Sequence, residues 1–359
     1  MILVTKPFLP PQHEYQRYLD GIWGRQWLTN NGPLVNELEL RLKNYLNVPH
    51  LLYLSNGTIA LQIAIKALGL KGEIITTPFS YVATTSSIVW EGCKPVFVDI
   101  DGGSLNIDPT KIEAAITDQT SAILATHVFG NPCDIESIEA IANRNNIPVI
   151  YDAAHCFGTL YKNQSVFNFG KICTTSFHAT KLFHTVEGGA VFTQDDELLK
   201  KMALLKNFGH NGPVDFADVG INGKNSEFHA AMGLANLKYI EAILKSRKDQ
   251  SLRYDQWLDR VHAQRLVINK DAEFNYSYYP LILKDEATTL KVIQALESNR
   301  ISPRRYFYPS LNTTAPYKSG EILLSESVSK RIICLPLYYS LSEEEIDFIS
   351  RIILRAITY

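Results

Sequence analysis

Between Glu73 and Asp152 the chain alternates short, unbroken apolar runs with segments of helical period, and this alternation restricts its fold more than any other feature. The runs are Glu73–Thr77, Pro95–Asp99, Ser121–His127 and Pro148–Tyr151. Ser80–Trp90, Pro109–Ala115 and Ile135–Arg144 between them read as helices. A strand that is apolar at consecutive positions has no face to offer water. It needs cover on both sides, which a mostly parallel sheet between two helix layers provides. In such sheets a ligand sits at the carboxyl ends of the strands. Ser55, His127 and Asp152 fall at those ends.

The flanking segments extend the pattern. Residues 11–24 read as a helix with Tyr15, Tyr18, Leu19, Ile22 and Trp23 on one face. Leu28–Pro33 is a loop by composition, Leu34–Tyr45 a second helix, His50–Leu54 a strand and Ile59–Leu68 a buried helix. Residues 225–260 form one long helical stretch. Beyond it come strand Tyr276–Leu283, helix Glu286–Ser298, an irregular stretch Ser302–Pro316, strand Arg331–Pro336 and helix Glu343–Ala356, the pattern of a small α+β unit. The expected division is a large domain over 1–240 and a small one over 241–359, with the N-terminal segment packing on the small one.

With 46% apolar residues the chain can bury a sizeable core, and its net charge of −2 carries no nucleic-acid or membrane footprint. Met1–Val4 is too short an apolar run for a leader, and no run is long enough to span a bilayer. The five cysteines show no CxxC spacing, so reduced thiols in a cytoplasmic protein are expected. The nine histidines are scattered, and no metal site is expected.

The chemistry centres on Lys181. It follows the β-branched run Thr174-Thr175-Ser176 and precedes Glu187-Gly188-Gly189 and a second apolar strand. A lysine held between buried strands tends to lose its proton. The neutral amine then adds to carbonyls, the chemistry on which pyridoxal 5′-phosphate (PLP) enzymes depend. A solvated lysine beside a Gly-Gly turn is the plainer alternative. Three further features fit the same cofactor. Ser55-Asn56-Gly57-Thr58 stands at a strand-to-helix junction, where free N–H groups favour a phosphate, although the same residues make an ordinary N-cap turn. Asp152 ends a buried strand and would pair with a protonated pyridine nitrogen, an attraction of roughly 4 kcal/mol at about 4 Å and an effective dielectric of about 20. It would serve equally as a helix N-cap. Phe79 or Tyr81, just past a strand end, would stack on the ring, and Ser176 would join the phosphate cup.

Taken together, Trp27–Pro33, Ser55–Thr58, Thr77–Thr84, Pro95–Ile100, Asp152–His155, Ser176–Lys181 with Glu187-Gly188-Gly189, Gly220–Glu227, Pro309–Leu311 and Leu335–Tyr338 resemble, in order, the DegT/DnrJ family of PLP-dependent nucleotide-sugar aminotransferases. The resemblance implies the aspartate-aminotransferase-like (type I) α/β fold. It implies Lys181 as the residue that joins the cofactor and shuttles the proton, and Asp152 as partner of the ring nitrogen. It implies Tyr81 on the ring face, His155 near the ring hydroxyl, and Gly57, Thr58 and Ser176 around the phosphate. Asn222 would reach the phosphate from the other subunit of a homodimer, although Ile221-Asn222-Gly223-Lys224-Asn225 departs from the family's usual Tyr-Asn-Tyr-Arg-Met.

Ser176-Phe177-His178-Ala179-Thr180-Lys181 followed by Glu-Gly-Gly is similar to members acting at C4 of the sugar. The implied reaction takes an amino group from L-glutamate to a dTDP-4-keto-6-deoxy sugar. Amination at C3, or of a UDP-sugar, is the alternative within the family, and a non-catalytic sensor the alternative outside it. Lys162, Lys224, Arg304 and Arg305 are candidates to hold the substrate diphosphate, with Thr29 and Tyr308 as further substrate contacts. His127, His178, His184 and His210 are read as structural or hydroxyl-binding.

Overall fold

The computed structural model describes residues 1–261 and 263–358. Seven strands form the central sheet: β1 (His50–Leu54), β2 (Glu73–Thr76), β3 (Lys94–Phe97), β4 (Thr120–Thr126), β5 (Val149–Asp152), β6 (Ile172–Ser176) and β7 (Gly189–Thr193). Their order across the sheet is β1-β7-β6-β5-β4-β2-β3. All neighbours are parallel except at β7, which runs antiparallel to both β1 and β6. The mostly parallel mixed sheet expected from the alternation is therefore present.

Consecutive strand residues feed opposite cores. Ile123, Tyr151 and Phe192 enter one with Leu38, Leu42 and Phe177, while Leu124, Ile150 and Val191 enter the other with Leu61 and Ile65. Successive side chains on a strand point to opposite faces. Both faces are thus covered, which is why these strands carry no polar alternation.

Helix α1 (Gln12–Arg25) buries Ile22. Trp23, expected on the same buried face, is instead 67% exposed and meets the Phe228 ring edge-on. Helix α2 (Pro33–Leu46) starts without a cap from its own N-cap residue, Gly32. The fully buried Glu227 supplies one, accepting from the Leu34 and Val35 N–H groups at 3.0 and 2.9 Å. A Cβ on Gly32 would lie 2.5 Å from Glu227 Cδ, so only glycine leaves room for this carboxylate. Helix α3 (Gly57–Ala67) follows β1, and Asn56 caps it by accepting from the Ile59 N–H at 2.9 Å. Helix α4 (Val82–Trp90) follows β2.

The stretch expected as one long helix is two, Glu227–Leu237 and Ile240–Leu258, broken at Lys238 and Tyr239. The second carries Ile240 and Ile243 into a core of the large sheet and Tyr254 and Leu258 into a third core, formed by the C-terminal elements. There, strands Tyr279–Ile282 and Ile332–Leu335 pair antiparallel, and the helices Glu286–Ser298 and Glu343–Thr358 pack nearby. Two helices were not expected, Asp196–Lys206 and Leu323–Arg331. Ile2 and Leu3 pair in parallel with Ile301 and Ser302, so the N-terminal segment lies on the C-terminal elements.

Glu227→Ala leaves two buried N–H groups without an acceptor and is expected to lower stability by about 3 kcal/mol. Glu37→Ala, which breaks only the exposed pair with Arg41, should cost less than about 1 kcal/mol. Urea denaturation of both variants measures the difference, and equal losses would remove Glu227 from its capping role.

Candidate active site

A cleft of about 540 Å³ opens at the carboxyl ends of the parallel strands. The inner wall is delivered largely by strand ends and the turns that follow them. β4 ends at Thr126, β5 at Asp152 and β6 at Ser176, and all three line the cleft. Asn56, Gly57 and Thr58 lie at the β1–α3 junction, and Tyr81 stands at the N-cap of α4. Tyr278, Arg304, Tyr306 and Phe307 come from the C-terminal part of the chain.

Lys181 projects into this space from the turn after β6, where its N–H donates to the His178 carbonyl at 2.9 Å. Burial pushes its pKa down to about 8 from 10.5, with the nearby Asp152 opposing the shift. A substantial fraction of the side chain is therefore neutral amine near physiological pH.

Asp152 is buried, and burial raises its pKa. Two donors oppose that rise: the Thr84 hydroxyl at 2.7 Å and the Ala154 N–H at 3.1 Å. No cationic side chain lies within 4 Å of it among the described residues, so the carboxylate faces the cleft without a counter-ion. Asp152 is the last residue of β5 and caps a turn rather than a helix.

His155 is also buried, its imidazole held neutral by burial and then by Lys181, and its Nδ1 has no hydrogen-bond partner among the described residues. Its ring lies parallel to those of Phe129 and Phe307, and its carbonyl accepts from Asn275 and Ser277. Gly57 lies so close to Ser176 that a Cβ would come within 2.8 Å of the serine Cβ. The α3 N-terminus and the Ser176 hydroxyl thereby share one small concavity.

Gly57, Thr58, Tyr81, Asp152, His155, Ser176 and Lys181 are thus brought to one cleft. Of the two aromatic candidates, Tyr81 is the one in the cleft. Phe79 is fully buried against Phe129 and Phe307. Arg304 also lines the cleft, over the ring of Tyr306 at 4.8 Å. The other three basic candidates are engaged elsewhere. Lys162 pairs with Glu136, Lys224 donates to Asn207 at 2.8 Å and lies over Phe208, and Arg305 is held by Glu286 at 2.9 Å and by the Lys330 carbonyl. Thr29 and Tyr308 are exposed outside the cleft, the first accepting from the Trp27 indole and the second lying against Arg305. Asn222 is exposed and does not line its own chain's cleft.

The histidines divide. His127, pushed down to about 3 by burial, accepts from the Cys133 N–H and stacks on Tyr151. His184 donates to the Phe8 carbonyl at 2.7 Å, and His210 packs on Phe216. His178 lines the cleft, 3.6 Å from Glu187. Sequence reasoning missed Glu187 as a wall residue, and it missed Thr84, whose only signal was its place four residues after Ser80.

Residues 11–354 match the DegT/DnrJ/EryC1/StrS aminotransferase family. The chain belongs to this family. Among curated relatives, it is 41% identical over 355 residues to the dTDP-4-amino-4,6-dideoxy-D-glucose transaminase of Shigella dysenteriae, spanning 97% of each chain. It is 39% identical to the Escherichia coli protein of the same name, over 98% of each. Among solved structures, DesI in the presence of its TDP-sugar product superposes with a TM-score of 0.94 at 31% identity, covering 99% of this chain and 93% of that one. The protein is a sugar-nucleotide aminotransferase of type I fold, and its cofactor is PLP. The cleft fits that cofactor. It offers a buried carboxylate and a His155 Nδ1 that have no cation and no hydrogen-bond partner, respectively, among the described residues, a partly accessible lysine of lowered pKa, and the α3 N-terminus set against the Ser176 hydroxyl.

In the cofactor-free aminotransferase, acylation of Lys181 should rise with pH through about 8, because the amine becomes nucleophilic as its proton leaves. Asp152→Asn removes the carboxylate that favours the ammonium, so the midpoint should move to lower pH. Competitive labelling followed by peptide mass spectrometry gives both midpoints. A midpoint near that of surface lysines would show that Lys181 is solvated.

Proposed function

We propose that this aminotransferase moves the amino group of L-glutamate to the C4 carbonyl of dTDP-4-keto-6-deoxyglucose, giving dTDP-4-amino-4,6-dideoxyglucose. The observation that carries the reading is the 41% identity, end to end, to a transaminase named for that product. The cleft supports it, because every residue that the chemistry requires of one chain converges there.

When bound, the cofactor supplies a carbonyl carbon that accepts the amino group and an electron-withdrawing ring. The rest falls to the protein. Lys181 Nζ, its pKa lowered to about 8, takes a proton as a base and returns it as an acid, and a pKa near the working pH suits both roles. Asp152 would pair with the protonated ring nitrogen, and Thr84 and Ala154 hold its carboxylate in place. Ser176, Gly57 and Thr58 hold the phosphate at the start of α3, where free N–H groups and the helix dipole favour an anion. Tyr81, which lines the cleft, would stack on the ring. Arg304 contacts the substrate diphosphate, since it brings positive charge to the wall and has no carboxylate within 4 Å among the described residues.

On the same reading residues 1–240 are the cofactor-binding domain and 241–359 the small domain. The enzyme is a homodimer of the cytoplasm in which Asn222 serves the partner's phosphate site. Exposed Phe208, Phe216, Val219 and Ile221 beside Asn222 support this, since apolar side chains so placed suit burial by a second copy. The product would enter a surface polysaccharide such as O-antigen lipopolysaccharide.

A visible spectrum tests the reading. Glutamate should remove the Schiff-base band of the holoenzyme, and dTDP-4-keto-6-deoxyglucose should restore it. Bleaching by glutamate without recovery would overturn the sugar assignment. Lys181→Ala and Lys181→Arg should each abolish turnover, because neither side chain offers an amine nucleophile; retained turnover would remove Lys181 from the mechanism. Mixing Lys181→Ala with an inactive Asn222 variant should regain activity through hybrid dimers, and no regain would refute the shared site.

A further inference from the structure

Asp152 is the last of four buried oxygen-bearing side chains joined in a row. Thr84 Oγ1 lies 2.7 Å from Asp152 Oδ2, Ser80 Oγ lies 2.7 Å from Thr84 Oγ1, and Thr126 Oγ1 lies 3.1 Å from Ser80 Oγ. Ser80, Thr84, Thr126 and Asp152 are all at most 6% exposed. The row has a direction. An ionised carboxylate only accepts, so Thr84 must donate to it. Thr84 then accepts from Ser80. Ser80 has spent its single proton, so it accepts from Thr126. Three hydroxyl dipoles thus point their positive ends towards the carboxylate, and aligned hydrogen bonds of this kind strengthen one another in a low-dielectric interior.

The fold explains why the row exists. Thr126 and Asp152 are register partners on β4 and β5, so their side chains share a face of the sheet. Ser80 and Thr84 are four residues apart where α4 begins, a spacing that brings the two hydroxyls together. Tyr81 stands on that same turn. One turn of chain therefore supplies the aromatic wall and the first donor to the aspartate.

We infer that the hydroxyl row Thr126–Ser80–Thr84 is a positioning device that holds Asp152 ionised and aimed into the cleft for the cofactor's ring nitrogen, with Thr84 as the residue in contact. This rests on the aminotransferase reading for the cofactor's identity only, not for the sugar. Thr84→Val keeps the shape and removes the donor. Thr84→Ser keeps the donor and removes a methyl. Ser80→Ala leaves Thr84 in place and removes the dipole behind it.

The experiment uses holoenzyme reconstituted with PLP labelled with nitrogen-15 in the ring, without any sugar. It reads the ring-nitrogen resonance and the PLP dissociation constant. Thr84→Val should move the resonance towards the unprotonated value and weaken PLP binding roughly tenfold or more, the scale expected for one lost hydrogen bond to a charged group. Thr84→Ser should restore both, and Ser80→Ala should fall between Thr84→Val and the wild type. A wild-type resonance and affinity in Thr84→Val would overturn the role of Thr84. A loss in Thr84→Ser equal to that in Thr84→Val would show that the methyl, not the hydroxyl, matters. Wild-type behaviour in Ser80→Ala would overturn the row as a unit. If Thr84→Val does not fold, Ser80→Ala and Thr126→Val decide the matter on the same two readouts. Failure of the sugar substrate in turnover leaves both readouts unaffected, so the two readings fail separately.

Discussion

An anion at the end of a buried strand, with no cation in contact among the described residues, is the constraint around which this site is built. Burying Asp152 uncompensated would protonate it, and its pKa is accordingly raised. The structure stops short of neutralising it. It offers the Thr84 hydroxyl and the Ala154 N–H, and it keeps Lys181 near but outside contact distance. Each charge acts on the other: Lys181 lowers the proton affinity of Asp152, and Asp152 raises that of Lys181. A carboxylate kept short of a partner in this way is left free to meet a cationic group of a ligand.

The sheet turns that electrostatic need into a position. Neighbouring parallel strands end side by side, at a spacing of roughly 4.8 Å, so their last residues form a row. Here the row is Thr126, Asp152 and Ser176, from β4, β5 and β6. Pairing sets the Thr126 hydroxyl level with the Asp152 carboxylate, whereas Ser176 stands two residues beyond Thr174, the register partner of Asp152, and so reaches further out at the strand end. The antiparallel β7 then closes the sheet between β6 and β1, which brings the α3 N-terminus against Ser176. The glycines of this chain mark such approaches, with Gly57 against Ser176 and Gly32 against Glu227.

Most of the sheet and the inner site could be read from the sequence, because both depend on local pattern. His50–Leu54, Ile135–Arg144 and Glu286–Ser298 begin and end where periodicity and caps place them. The cleft residues stand at strand ends, which the pattern locates. What escaped depends on tertiary neighbours. Nothing near Lys162 or Arg305 in the sequence shows that Glu136 or Glu286 will hold them. Trp23 has the right helical spacing for burial, but it packs perpendicular to the Phe228 ring and remains largely in water. The break at Lys238 and Tyr239 carries no glycine or proline to announce it. The helix Asp196–Lys206 did carry a signal: Asp195 accepts from the Glu197 and Leu198 N–H groups, acidic residues follow and a lysine closes it.

The first residues of the chain run between distant parts of the molecule. Ile2 and Leu3 pair with Ile301 and Ser302, the Val4 carbonyl accepts from the Leu337 N–H, and the Phe8 carbonyl accepts from His184. The Phe8 ring lies against Tyr239 and Tyr339. One anchor of this strap is thus two residues from Arg304 in the cleft wall, and another is three residues from Lys181. The strap thus spans the two sides of the cleft. Shortening or stretching it would change the cleft's width without altering a single residue that touches the reactants.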